Sequence, residues 1–333
     1  MPKPRALTGD RPTGPLHLGH YLGSLVRRVE LQNTHDLLVI IADVQALTTH
    51  YHRPELLSAS VRQVALDNLA AGLDPAKITM FVQSEVPAIA ELTVYLGMLA
   101  RVNALRRNPT IKAEAKAYGY RDLTYGFLGY PVSQAADVTF CDATVVPVGD
   151  DQLPHLEFAR ELVRKFNAHY GPTLVEPQAL LGPVPRLTGL DGNAKMSKSL
   201  GNCIFLSDGP REVTLRLDRA VTDPARVRRH DPGRPEVCTV HTYYRALEAA
   251  ASEEAACACR AGQMGCVDCK QRLAGLINRR LEPMRARRQE LEKPGLVEEI
   301  LDHGAARAQA LGAPTLARVR ASLKLRPGVR DVT

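Results

Sequence analysis

The sequence predicts an α/β fold, a doubly wound parallel sheet, joined to a second, all-helical domain. Three observations carry this. Short apolar runs alternate with helical periods through the first third of the chain, the opening segment reads as strand, turn and helix, and strand-like runs largely vanish beyond Gly201.

The first strand is Arg5-Ala6-Leu7-Thr8, and Gly9 to Pro15 is a turn broken by glycine and proline. Leu16 to Gln32 then places Leu18, Leu22, Leu25 and Val29 at a helical period. A buried-strand candidate, Leu37-Leu38-Val39-Ile40-Ile41, precedes a helix that Pro54 opens and that stops near Gly72, with Leu57, Val61, Val64 and Leu69 on one face. The third strand, Ile78 to Val82, completes a β-α-β-α-β unit whose crossovers imply a parallel sheet covered on both faces. Ala88 to Tyr125 reads as helical and polar. Asp137 to Phe140 and Thr144 to Val148 read as two further short strands, the second ending at Gly149 before a helix from about Leu153 to Asn167. Leu215 to Leu311 reads as helices with charged faces. No repeat, low-complexity tract or Gly/Ser linker separates the halves, which predicts closely apposed domains.

Composition narrows the function classes. With 45% hydrophobic and 24% charged residues over 333 positions, disorder and fibrous architectures are excluded. Apolar runs such as Leu37 to Ala42 stay far below the roughly 18 residues of a bilayer span, so no membrane partner is expected. The opening Met1-Pro2-Lys3-Pro4-Arg5 has no apolar core of a secretory signal, which points to a cytoplasmic chain with its seven cysteines as thiols. The net charge of +7 favours a polyanionic partner, and the stretch from Arg211 to Lys293 holds 17 basic against 12 acidic side chains. A surface for such a partner therefore belongs in the second half.

In an open parallel sheet, ligands collect beyond the carboxyl ends of the strands, and the first strand-to-helix turn is a usual phosphate site. Here that turn leads into His17-Leu18-Gly19-His20. Two imidazoles three residues apart share one face where free backbone amides favour an anion, and Gly19 lets a nucleotide approach the backbone. A capping or solvated role is the alternative for these histidines. Lys195-Met196-Ser197-Lys198-Ser199, flanked by Gly192 and Gly201, forms a cationic loop suited to clamping phosphates, with a solvated basic loop as its alternative.

His-Leu-Gly-His after the first strand, with Lys-Met-Ser-Lys-Ser far downstream, resembles the paired signature of class I aminoacyl-tRNA synthetases. Four further segments resemble the bacterial tryptophanyl-tRNA synthetases: Ser84 to Pro87, Asn108 to Lys112, Pro131 to Asp137, and Val146 to Gln152. The resemblance runs from about residue 5 to beyond residue 310. It implies a Rossmann-like catalytic domain over 1–205, a helical anticodon-binding domain over 206–305, a helix from about 306 packing back, and a homodimer. L-tryptophan, ATP with Mg²⁺, and tRNA(Trp) would be the substrates.

Carried over residue by residue, the resemblance assigns Asp137 to the indole N–H, a fitting partner because indole offers one donor and no acceptor. Tyr130 and Gln152 would hold the ammonium and carboxylate, and Leu7, Val146 and Val148 would wall the ring. Arg11, Pro12, Thr13, Gly19 and His20 would face adenine and phosphates, Gly149, Asp150 and Asp151 the ribose, and Leu187 the adenine. Lys112, Lys195 and Lys198, with Met196, Ser197 and Ser199 of the same loop, would meet the triphosphate, and His17 and His20 would serve the transition state. Many relatives carry Met at Gln134 and His at Gln45, so a more polar indole pocket is expected. A tyrosyl-tRNA synthetase, or an idle synthetase paralogue that binds RNA or a regulatory partner, are the rival readings.

Cys238, Cys259, Cys266 and Cys269 form C-x20-C-x6-C-x2-C. Four clustered thiols suggest a metal site, and four thiolates suit either an iron–sulfur cluster or zinc, with unmetallated thiols as the third reading. Some bacterial relatives imply a [4Fe-4S] cluster at such a pattern. Arg226, Arg228, Arg229, Arg279, Arg280, Arg285, Arg287 and Arg288 are candidates for the tRNA anticodon arm, with an ordinary solvated helix face as the alternative.

Overall fold

The computed structural model describes residues 3–149, 152–181, 187–192, 196–198 and 200–326. Five parallel strands, β1 (Arg5–Asp10), β2 (Asp36–Ile41), β3 (Ile78–Val82), β4 (Val145–Val148) and β5 (Gln178–Leu181), lie in the order β3-β2-β1-β4-β5. The winding therefore reverses between β1 and β4, which makes their carboxyl ends the switch point where ligands gather.

Strand alternation assigns the two faces. On β2, Leu37, Val39 and Ile41 join one core with Leu66 and Leu69 of helix Pro54–Ala70 and with Leu273, Ile277 and Leu281 of helix Cys266–Leu291. Leu38 and Ile40 join the other, against Ile89, Leu92, Phe127 and Phe166. Each such side chain contributes about 1.5–3 kcal/mol on burial. The helical half thus shares the core of the sheet, as the missing linker predicted. Helix Leu296–Ser322 runs unbroken across residue 306 and packs on β3, where a Cβ at Gly304 would stand 1.6 Å from the Met80 carbonyl oxygen. Only glycine permits that approach.

Three expectations need correction or addition. Asp137 to Phe140 is no strand, because Asp137 to Thr139 close helix Tyr125–Thr139 and Phe140 still bonds back to the Ala136 carbonyl at 2.9 Å. Val138, Thr139 and Phe140 have strand-like side chains, but burial of Phe127, Tyr130, Ala135 and Val138 at helical spacing outweighs that preference. Strand β5 and helix Asp43–His50 were not anticipated. Among the described residues, no helix is long and apolar enough to cross a membrane.

Candidate active site

Beyond the carboxyl ends of β1 and β4 lies a cavity of about 670 Å³. Leu7 on β1 and Val146 and Val148 on β4 supply apolar walls, while Gly149 and Gln152 lie where β4 hands over to helix Leu153–Tyr170. Arg11, Gln134 and Asp137 complete the anticipated residues that line it. Tyr130, Gln134 and Asp137 fall at i, i+4 and i+7 of one helix, so they share a side of it, and Gln134 and Asp137 reach the cavity.

Asp137, 3% exposed, lines the cavity between two amides. Gln83 Nε2 donates to its Oδ1 at 2.7 Å and Gln45 Nε2 donates to its Oδ2 at 2.5 Å. Gln83 Oε1 in turn accepts the Gln45 backbone N–H at 3.0 Å, so the two amides brace each other. Burial pushes the Asp137 carboxyl up to about 7, with the Gln83 and Gln45 hydrogen bonds opposing it and Asp43 adding repulsion. A carboxylate has about four lone-pair sites, so two amides leave room for a further donor from the cavity. Gln45 entered the sequence reading only as a departure from relatives, and Gln83 not at all. The available signal was a polar residue directly after β3, at the carboxyl end of a strand.

The second buried carboxylate of the cavity is held differently. Arg28 grips Asp10 at 2.5 and 3.0 Å, and Asn68 both donates to Asp10 Oδ2 at 3.1 Å and accepts from Arg28 at 2.8 Å. Although burial pushes the Asp10 carboxyl up, the guanidinium and these hydrogen bonds hold it well below the usual carboxylate range.

Tyr130 is buried beneath Arg11, whose guanidinium carbon lies 4.8 Å from the ring centroid. Its hydroxyl meets His155 Nε2 at 2.7 Å, and Arg11 pairs with Glu114 at 3.7 Å. Burial and Glu114 push the phenol upward, which keeps Tyr130 a neutral hydrogen-bonding group. Among the cavity-lining residues, Tyr130 and Lys112 are not found; Lys112 is exposed on helix Pro109–Tyr118. Glu114 and His155 were missed by sequence reading.

Both anticipated signatures meet. His17 caps its helix by accepting the Gly19 N–H at 3.1 Å, while His20 Nδ1 accepts the His17 N–H at 3.2 Å. The capping alternative therefore holds, and it also fixes the imidazoles with ring centroids 3.8 Å apart. Met196, buried, brings its sulfur to 3.3 Å from the Gly19 nitrogen, and Lys198 Nζ donates to the Gly14 carbonyl at 2.6 Å. Burial lowers the Lys198 ammonium, with Asp10 and Asp67 drawing it back up. Ser197 N–H is accepted by Asn202 at 2.8 Å, and Leu187, buried, accepts the Met196 N–H at 3.2 Å. Pro12 is buried and Thr13 half-buried on the turn between. Asp150, Asp151, Lys195 and Ser199 lie outside the described residues.

All seven cysteines are free thiols. Cys259 and Cys266 share the Arg226 guanidinium, at 3.5 and 3.8 Å, and burial pushes Cys269 up to about 11. Among the described residues no three Cys, His, Asp or Glu side chains are grouped to hold a metal ion. Cys238, Cys259, Cys266 and Cys269 nonetheless lie within electrostatic reach of one another. Of the candidate tRNA-facing arginines, Arg279, Arg280 and Arg228 are exposed, and Arg229 pairs with Asp268 at 3.0 Å. Arg285 and Arg287 hydrogen-bond the Asp208 and Ala70 carbonyls at 2.9 and 2.8 Å, and Arg288 reaches Asp67, so these three hold the molecule together internally.

A nucleotide-sized crevice at a parallel-sheet switch point, with the histidine turn and lysine loop in contact beside it, defines a class I tRNA synthetase. The family model for tRNA synthetases class I (W and Y) matches residues 2–282. A tryptophan--tRNA ligase of Lactococcus lactis subsp. lactis is 46% identical over 97% of this chain and 98% of its own, and one of Treponema pallidum is 44% identical over 96% and 97%. Among solved structures, the tryptophanyl-tRNA synthetase from Campylobacter jejuni complexed with ADP and tryptophan superposes with a TM-score of 0.85 at 30% identity, covering 96% of this chain and 100% of that one. The chain belongs to the tryptophan--tRNA ligase family.

Proposed function

We propose that this chain activates L-tryptophan with ATP to tryptophanyl-adenylate and transfers the tryptophanyl group to tRNA(Trp). The observation that carries the reading is a buried, amide-braced Asp137 in the lining of an apolar-walled cavity whose neighbouring turn touches the lysine loop. Asp137 accepts the indole N–H, and Leu7, Val146 and Val148 contact the ring. Gln134 adds polarity to the pocket, while Gln152 and Arg11 lie where the amino acid's charged end would sit. Tyr130 acts on that end through Arg11.

ATP enters as its Mg²⁺ complex, with Gly19, Gly149 and the turn at Pro12 and Thr13 against the nucleotide. The tryptophan carboxylate attacks the α-phosphorus and pyrophosphate leaves, with charge growing on the phosphoryl oxygens. His17, His20, Lys112, Lys195 and Lys198 supply the donors and cations for that charge without a covalent enzyme intermediate. A hydroxyl of the terminal tRNA ribose then displaces AMP. The exposed Arg228, Arg279 and Arg280 of the helical half face the anticodon arm. Val94, Val102 and Tyr125, exposed on three helices, and Met98 in the turn after Gly97 support a homodimer, which sedimentation would test. Cytoplasmic residence is consistent with seven free thiols. A [4Fe-4S] cluster at Cys238, Cys259, Cys266 and Cys269 is supported by four thiols within electrostatic reach of one another; visible absorption of purified protein tests it.

Amino-acid-dependent exchange of pyrophosphate into ATP tests the function. Tryptophan supports exchange, tyrosine does not, and Asp137→Ala loses the tryptophan-dependent rate. Exchange driven by tyrosine instead would establish the tyrosyl reading, and tRNA binding without any exchange the idle one.

A further inference from the structure

Helix Pro54–Ala70 carries two adjacent polar residues, Asp67 and Asn68, that are 1% and 0% exposed in the middle of the apolar core. Buried polar groups at such a place carry a cost unless every bond is made, and here each is made to a different part of the molecule. Asp67 Oδ2 accepts the backbone N–H of Leu16 at 2.7 Å, immediately before His17. Its other oxygen pairs with Arg288 Nη1, from helix Cys266–Leu291 of the second half. Arg288 is held in place by Gln63 Oε1 at 2.5 Å and by Glu292 at 3.2 Å, and its side chain is only 12% exposed. Asn68 ties Asp10 and Arg28, both of which line the cavity. Lys198, bonded to Gly14, lies within the electrostatic reach of Asp67 and Asp10.

The Leu16 contact has a specific geometric consequence. Leu16 also accepts the Leu206 N–H at 3.0 Å, and Leu18 donates to the Ile204 carbonyl at 2.8 Å, so the backbone entering the histidine turn is pinned on both sides. Its remaining anchor is a carboxylate whose orientation depends on a guanidinium from the far half of the chain. An uncompensated Asp67 in that core would turn toward water or take up a proton, and burial already raises its carboxyl to about 6 despite Arg288.

We infer that Arg288 and Asp67 are a pair of positioning residues for the activation step: the helical half fixes, through this buried ion pair, the backbone from which His17 and His20 are presented. The inference rests on the assigned role of the histidine turn. It predicts that breaking the pair slows chemistry and leaves tryptophan binding at Asp137, which neither residue contacts, unchanged.

The test is tryptophan-dependent pyrophosphate exchange by the full-length chain, comparing wild type, Arg288→Met, Arg288→Lys, Asp67→Asn and the Arg288→Met/Asp67→Asn double variant. Folding is checked by circular dichroism and thermal melting above the assay temperature. The expected result is a fall in kcat of about tenfold or more in Arg288→Met, the size of a lost transition-state interaction, with the KM for tryptophan within twofold. Arg288→Lys recovers part of the rate, and the double variant is no slower than the worse single one. A folded Arg288→Met with kcat within twofold of wild type overturns the inference, as do additive losses in the double variant. Should Arg288→Met not fold, the isosteric Asp67→Asn decides alone, on the same kcat and KM criteria. Absence of exchange in the wild type would instead strike the functional reading on which the inference stands.

Discussion

The cavity holds two buried aspartates that the structure treats in opposite ways. Asp10 faces a guanidinium and is held well below the usual carboxylate range; Asp137 faces two neutral amides and rises to about 7. Both side chains are largely enclosed, so burial alone does not distinguish them. The partner does. A carboxylate paired with Arg28 and Asn68 has its charge compensated inside the protein and serves to hold β1 and the helix after it. A carboxylate braced by Gln45 and Gln83 is oriented without a charge partner, and two amides leave lone pairs open to a further donor from the cavity.

That contrast can be broken most forcefully at its charged end. Arg28→Ala leaves Asp10 buried without its cation, and the expected cost is about 3–5 kcal/mol of folding stability, read from urea or guanidinium unfolding. A loss under about 1 kcal/mol would mean that Asp10 is not held by the pair.

The two aspartates also carry opposite signs in pH. A carboxyl whose folded pKa is raised contributes stability that is complete below its unfolded value and is lost as pH rises through the folded one. For Asp137 that window runs from 3.8 to about 7, and Asp67, raised to about 6, acts in the same direction. The Asp10 contribution runs the other way: it is present above 3.8 and is lost as pH falls through its depressed folded value. Unfolding curves at several pH values should therefore show Asp137→Asn with a flatter decline than wild type across that upper window. The difference should reach up to about 1.4 kcal/mol per pH unit. Parallel curves would place the Asp137 titration outside it.

The smallest effect concerns the bracing amides. Gln83→Leu removes one donor to Asp137 and the acceptor of the Gln45 N–H, and the KM for tryptophan should rise about threefold to tenfold with kcat little changed. An equal fall in kcat would move Gln83 from binding into the chemical step.

Much of this could be read from the chain itself, for reasons that differ by element. Strands β1 to β4 declare themselves as short apolar runs between turn signals. Strand β5 does not, because Gln178-Ala179-Leu180-Leu181 are helix-favouring residues on an edge that pairs on one side only. Asp137 to Phe140 misleads in the opposite sense, with strand-like side chains at the end of a buried helix. In the site, local motifs exposed the histidine turn and the lysine loop, and the family resemblance pointed to Asp137. The residues that set their behaviour stayed hidden because they act across the fold: Gln83 lies 54 positions from Asp137, Asn68 lies 58 from Asp10, and Arg288 lies 221 from Asp67. No local period encodes such pairs. The arginines of helix Cys266–Leu291 illustrate the same limit, since a charged helix face looks alike in sequence whether it meets RNA or, as with Arg287 and Arg288, the other half of its own chain.

The account turns on Asp137 recognising a ring N–H, and one comparison addresses that directly. Pyrophosphate exchange is measured with L-tryptophan and with the analogue whose indole N–H is replaced by sulfur, in wild type and in Asp137→Ala. The wild type should favour tryptophan in kcat/KM by about 10- to 100-fold, the range of a hydrogen bond to a charged group, and the variant should treat the two alike. A variant that keeps the full preference would contradict the account, because some other group would then be reading the indole.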